Sequence, residues 1–186
     1  MKKLLLITTL IIFSFPNLSA QYVEAKINPI GALFQSPDVS VEYIVNENIG
    51  VEGKIGYRWS NNDFLGEVSR STGFSFATLG KFYFKPEDDA DRFYAGLYAK
   101  YARNTSSSNI DVFSDYDQTR VAIGALGGFK WVANNGIVLD FNVGAGRALV
   151  NKYNFNANAD PNYIDLIEGI DLDFIGTLAL GYRFEL

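Results

Sequence analysis

The sequence contains no cysteine and no histidine, and after residue 20 no apolar run approaches 18 residues. Without cysteine there is no disulfide and no thiol for lipid attachment at a processed N-terminus, so stability must come from fold and solvent. Without histidine, acyl-transfer and proteolytic arrangements that need an imidazole near neutral pH are closed off. Zinc and haem lose their usual ligands as well. No cofactor or metal is expected and the chain is not read as an enzyme. The lack of a long apolar run excludes a transmembrane helix beyond residue 20, so a mature chain that enters a membrane must do so as a closed barrel.

What is present begins with an export signal. Lys2 and Lys3 precede an apolar run from Leu4 to Phe15, then Pro16 and the small-residue stretch Leu18-Ser19-Ala20. About 12 apolar residues are too few for the roughly 20 a spanning helix needs. Residues 1–20 are therefore expected to be a cleaved signal peptide, with 21–186 as one domain. Removing Lys2 and Lys3 leaves 14 basic residues against 21 acidic ones. A nucleic-acid partner is not expected for so acidic a chain.

Eight segments beyond Gln21 alternate apolar and polar residues, near 23–34, 38–45, 49–60, 73–85, 93–103, 119–132, 136–149 and 169–186. The last is clearest, with Ile170, Leu172, Phe174, Leu178, Leu180, Tyr182, Phe184 and Leu186 on one parity and Asp171, Asp173, Thr177 and Arg183 on the other. Most segments reach the nine to eleven residues that cross a bilayer at a tilt. The connections Asn46-Glu47-Asn48, Lys85 to Arg92 and Ala133-Asn134-Asn135 are short or moderate, whereas 61–72, 104–118 and 150–168 read as long polar loops. This alternation predicts an all-β, eight-stranded, antiparallel up-and-down transmembrane barrel, with long loops outside the cell and both termini in the periplasm.

A soluble lipid-binding barrel in the periplasm has the same period with its faces reversed, and alternation alone does not separate the two. Three features favour lipid outside. Tyr57, Trp59 and Tyr101 collect toward the long-loop end of the apolar parity. Tyr43, Phe82, Phe84, Phe129, Trp131, Tyr182 and Phe184 collect toward the short-turn end, which gives two aromatic girdles. The polar parity mixes charges with Gly50, Gly56, Gly96, Gly124, Gly128, Gly144 and Gly146, small residues suited to a packed lumen. The final strand ends near an aromatic residue, as in the signal read by the outer-membrane insertion machinery, although Glu185 and Leu186 follow Phe184. Outer-membrane lipid and that machinery are the expected partners of a monomer.

The segments Lys26-Ile27-Asn28-Pro29-Ile30-Gly31, Val41-Glu42-Tyr43, Phe93-Tyr94-Ala95-Gly96-Leu97-Tyr98, Gly127-Gly128-Phe129-Lys130-Trp131 and Gly136 to Gly146 together resemble a Bacteroidota family of outer-membrane barrels described as a domain of unknown function. The resemblance spans roughly residues 26–150. It implies an outer-membrane location and an OmpA- or OmpX-like eight-stranded barrel, and it brings no catalytic residues.

The lumen is expected to hold Glu24, Glu42, Glu52, Asp140, Asp171 and Asp173 with Lys26, Lys54, Arg58, Lys81, Lys100, Arg120, Lys130 and Arg183. Such charges either line an ion path or pair to fill a narrow barrel, and the small strand number favours pairing. Asp111, Asp115, Asp117, Asp160 and Asp165 offer hard oxygen ligands on two loops, but without EF-hand spacing they read as solvated acids. Gly144-Ala145-Gly146 lies within a strand and no helix follows it, so it reads as close packing and not as a nucleotide-binding turn. Arg147, on the apolar parity, is expected to snorkel or to mark a bulge. The leading functional expectation is a non-enzymatic envelope-structural or surface-interaction protein; a narrow pore for ions or small solutes and a soluble lipid-binding barrel are the alternatives.

Overall fold

Strands whose two faces differ in polarity must hide one face, and a sheet that closes on itself does so without leaving an edge. The computed structural model describes residues 22–64, 67–108, 116–155 and 171–186. The strands are β1 (Tyr22–Ile27), β2 (Asp38–Asn46), β3 (Ile49–Phe64), β4 (Glu67–Tyr83), β5 (Arg92–Ser108), β6 (Tyr116–Val132), β7 (Ile137–Phe155) and β8 (Leu172–Glu185), with a short helix α1 (Pro29–Leu33) between β1 and β2. Each strand pairs antiparallel with its neighbours in sequence, and β8 returns to β1 to close the barrel.

The closure is strongly staggered. From Ile27 the ladders lead through Val39, Ile55, Phe76, Tyr101 and Val121 to Val150 on β7. The other way round, Ile27 faces Leu180, and Leu180 faces Leu139. The two routes arrive on β7 eleven residues apart (150 against 139), which requires tilted strands around a lumen wide enough only for side chains.

The faces point as the aromatic and glycine pattern predicts. Leu97, Phe141, Val143, Phe174 and Leu178 are exposed on the outside, whereas Glu42, Glu52, Lys81, Lys130 and Asp140 are buried within. This is the reverse of a soluble barrel with an apolar interior. Tyr57, Tyr101, Phe82, Phe84, Trp131, Tyr182 and Phe184 are exposed, and Tyr43, Trp59 and Phe129 are half-buried on the same outward parity. Ring pairs Phe93–Phe129 at 4.9 Å and Tyr182–Phe184 at 5.0 Å join neighbouring members of the belt.

Two expectations about elements need correction. The segment 23–34 is not one strand: β1 ends at Ile27, Asn28 accepts a capping bond from the Gly31 N–H at 2.9 Å, and Pro29, which has no N–H to give a ladder, opens α1. The stretches 61–72, 104–118 and 150–168 are not loops throughout, since β3 to β7 continue into them up to residues 64, 67, 108, 116 and 155. There the sequence is rich in Asn, Ser, Thr and Asp and the regular alternation is lost, while backbone pairing continues. Asn104 donates to Gln118 at 3.1 Å, and Gln118 donates to Asn151 at 2.9 Å and to Tyr153 at 2.7 Å, knitting the inside of this extension.

Arg147 stands two residues before a bulge. Val121 faces Val150 while Ala122 faces Ala148, so Leu149 has no partner. The extra residue inverts the parity of β7, turning Asn151 and Tyr153 inward above it. Residues 1–20, Asp111, Asp115, Asp160, Asp165 and Ile170 lie outside the described residues.

Candidate functional site

The side chains that fill the lumen come from all eight strands. Glu24 and Lys26 stand on β1, Glu42 on β2, Glu52 on β3, Lys81 and Tyr83 on β4, Tyr94 on β5, Lys130 on β6, Asp140 on β7 and Arg183 on β8. Their inward direction follows from strand parity, and the stagger brings them to one level. Lys26 Nζ lies 2.5 Å from Glu42, 2.9 Å from Glu52 and 2.7 Å from Asp140. Lys81 Nζ lies 2.9 Å from Glu42 and 2.7 Å from Asp140, and also pairs with Glu52. Lys130 Nζ lies 3.0 Å from Glu24 and 3.3 Å from Glu42. Arg183 Nη2 reaches Glu24 at 2.6 Å.

Four carboxylates thus meet four cations with no net charge. Bringing these groups out of water costs several kcal/mol per ion, which only multiple close partners offset. Here each carboxylate touches at least two cations. Phenols supply further bonds: Tyr83 donates to Glu42 at 2.5 Å and Tyr94 to Asp140 at 2.6 Å. Lys130 lies 4.5 Å from the centre of the Tyr83 ring, and Lys81 lies 4.8 Å from that of Tyr94. The rings need room that glycine provides. A Cβ on Gly128 would stand 2.5 Å from Tyr94 Cζ, and one on Gly124 would stand 2.5 Å from Tyr98 Cε1.

A second tier lies nearer the strand extensions. Asp173 forms ion pairs with Lys100 at 2.7 Å and Arg120 at 3.3 Å and accepts a hydrogen bond from the Tyr98 hydroxyl at 2.9 Å. Lys54 donates to Thr177 and stands 3.6 Å from Asp38. Above this tier Arg58, Lys100 and Arg120 line a cavity of about 250 Å³. At the opposite mouth the segment 84–91 folds beneath the cluster. Ala90 and Asp91 are buried, Ala90 N–H bonds to Glu47 O at 2.7 Å, and Arg183 donates to Asp88 O at 2.6 Å.

Two of the residues assigned to the lumen network lie outside it. Asp171 precedes β8 and pairs with Arg147 at 3.1 Å on the outer surface, both side chains exposed. Its parity matched Asp173, but the strand begins one residue later. Arg58 is exposed at the cavity described above and takes no part in the cluster. Sequence reasoning passed over Asp38, Tyr83, Tyr94 and Tyr98. Tyr83 shares the parity of Lys81, and Tyr94 and Tyr98 share that of Lys100, so the signal lies in the alternation, against the aromatic character that these three share with the outward residues.

Glu42, Glu52 and Asp140 place ligand oxygens within 4.8 Å of one another, a spacing a metal ion would fit. Lys26 and Lys81 already supply two ammonium charges to all three, so a divalent cation would have to displace them. Asp117 accepts from Thr105 at 2.6 Å.

Residues 5–165 match the family model described as "Protein of unknown function (DUF3575)". The chain belongs to this family. The match extends beyond the stretch 26–150 on which the sequence resemblance rests. Among curated proteins no sequence matches. Similar solved structures include Neisserial surface protein A, NspA, at 15% identity, covering 89% of this chain and 96% of that one with a TM-score of 0.43. Ail, the attachment invasion locus protein of Yersinia pestis, has 14% identity, 88% and 93% coverage and a TM-score of 0.45. The same protein in complex with the heparin analogue sucrose octasulfate has 14% identity, 88% and 94% coverage and a TM-score of 0.43. The likeness is one of fold, and no ligand of theirs is assigned to this chain.

Proposed function

We propose that this protein is a monomeric outer-membrane barrel closed to passage, with a structural or surface-contact role and no catalytic one. The observation that carries this reading is the neutral cluster of Glu24, Glu42, Glu52 and Asp140 with Lys26, Lys81, Lys130 and Arg183, which occupies the lumen where a conducting path would run. The outward apolar belt supports the lipid location. In this reading the barrel is of the OmpA/OmpX kind, the turns and termini face the periplasm, and the polar strand extensions stand outside the cell as the contact surface. The alternating C-terminal strand serves the insertion machinery.

Planar-bilayer recording tests closure. The purified protein is expected to give no reproducible conductance steps. Steps that disappear in Glu52→Gln would establish a narrow pore instead. Flotation with the outer-membrane fraction tests location, and recovery as a freely soluble protein would end the membrane reading.

A further inference from the structure

The balance of charge changes from one tier of the lumen to the next. In the deep cluster carboxylates and cations are equal in number, whereas the cavity above the second tier is lined by three cations, Arg58, Lys100 and Arg120, and one carboxylate, Asp173. That carboxylate is already shared. Its Oδ1 lies 2.7 Å from Lys100 Nζ and 3.3 Å from Arg120 Nε, and its Oδ2 accepts from the Tyr98 hydroxyl at 2.9 Å. Neighbouring ions do not correct the balance, since Lys54 is matched by Asp38 and Arg103 by Asp117. Among the described residues, the cavity therefore carries an excess of two positive charges, in a chain with more acidic than basic residues.

These cations also keep donors to spare. Arg58 is exposed and has no ion-pair or hydrogen-bond partner among the described residues. Arg120 donates to Leu172 O and Lys100 to Phe174 O at 3.1 Å, which together with Asp173 engages only some of their N–H groups. Both side chains retain accessible surface, 19% for Lys100 and 14% for Arg120, so a solute in the cavity meets them directly.

The room comes from β4 and β5. Arg58 faces Gly73 across the β3–β4 ladder, while Ser75 faces Ala102, which in turn faces Arg120. Gly73, Ser75 and Ala102 thus put small groups between the two guanidinium-bearing strands, and a cavity of about 250 Å³ results. Against about 30 Å³ for one water in the liquid, this holds a phosphate group with a small substituent but not a long chain.

We propose that this cavity binds one phosphate group, free or as a small phosphomonoester, between Arg58, Lys100 and Arg120. An excess of two positive charges matches a dianion, and two guanidinium forks with one ammonium match its terminal oxygens. A simple carboxylate offers half the charge and fewer acceptors. The three cations stand on the inward parity of β3, β5 and β6, so the ligand enters from the aqueous mouth and not through the lipid-facing wall. The site lies above the paired cluster, so it is compatible with a barrel closed to passage. It does not depend on the membrane placement, which flotation tests separately.

The test is isothermal titration calorimetry of the purified protein in detergent, at about pH 8, where phosphomonoesters are dianionic. Ionic strength is held constant, so that screening does not change along the titration. Inorganic phosphate and glycerol 3-phosphate are titrated separately, with acetate as the monoanion. One saturable equivalent of phosphate ligand is expected, and acetate should bind about tenfold more weakly or worse. Tighter binding of glycerol 3-phosphate identifies an ester as the ligand, and tighter binding of inorganic phosphate identifies the free ion. Arg58→Gln, which breaks no other contact among the described residues, and Arg120→Gln should each weaken binding about tenfold. Arg103→Gln, the same loss of charge on the outward parity of β5, should leave it unchanged. No saturable binding of either phosphate ligand, equal binding by wild type and both cavity variants, equal weakening by Arg103→Gln, or acetate bound as tightly as phosphate would overturn the proposal.

Discussion

Glu42 shows how this lumen is held together residue by residue. It is fully buried and faces Lys26, Lys81 and Lys130, with the Tyr83 hydroxyl on its other side. Such a group contributes little as a hydrophobic isostere would count it, but its loss leaves buried cations without counter-charge. Glu42→Gln is therefore expected to destabilise the barrel by about 3–5 kcal/mol, read from reversible urea unfolding in lipid vesicles. A change below 1 kcal/mol would mean that water reaches these charges. Asp171→Asn, which among the described residues touches only the exposed Arg147 pair, should shift stability by less than about 1 kcal/mol. That contrast was only half legible in the sequence. Parity placed the charges on one face, but parity carries no depth, so Asp171 and Asp173 looked alike until the end of β8 separated them.

At the scale of elements, the glycines of β6 decide how the phenols of β5 lie. Tyr94 and Tyr98 fold across Gly128 and Gly124, and Tyr94 thereby reaches Asp140. Gly128→Val should push Tyr94 off that carboxylate and cost about 1–3 kcal/mol, measured by the same unfolding assay. Gly80→Ala, where an added Cβ meets nothing within 4 Å, should lie within about 0.5 kcal/mol of wild type. Eight strands and their order were readable because one face of each strand is apolar and the other polar or charged. That signal fades as soon as the strands leave the belt, which is why the Asn104, Gln118 and Asn151 region read as loop although its ladders continue. The α1 turn was readable too, in Asn28 as cap and Pro29 at the first helical position, but the apolar residues around it favoured a longer strand.

As a whole molecule, the protein is an inverted core: charge within, oil without, and side chains where a channel would otherwise be. Segment 84–91 sits under one mouth of the cluster and the amide-lined extension rises above the other. Because no cysteine is present, single-cysteine variants report one position each without a background to remove. The direction of the faces, on which every other conclusion depends, can therefore be measured directly. Spin labels placed singly at residues 137–143 of β7, in protein reconstituted into lipid vesicles, are compared for collision with molecular oxygen, which concentrates in hydrocarbon, and with a water-soluble nickel complex. Oxygen contact is predicted to peak at Ile137, Leu139, Phe141 and Val143 and to fall at Val138, Asp140 and Asn142, with the nickel complex excluded from the odd positions. Oxygen maxima at the even positions, or nickel contact at Leu139 and Phe141, would contradict a barrel with lipid outside and its ionic cluster sealed within.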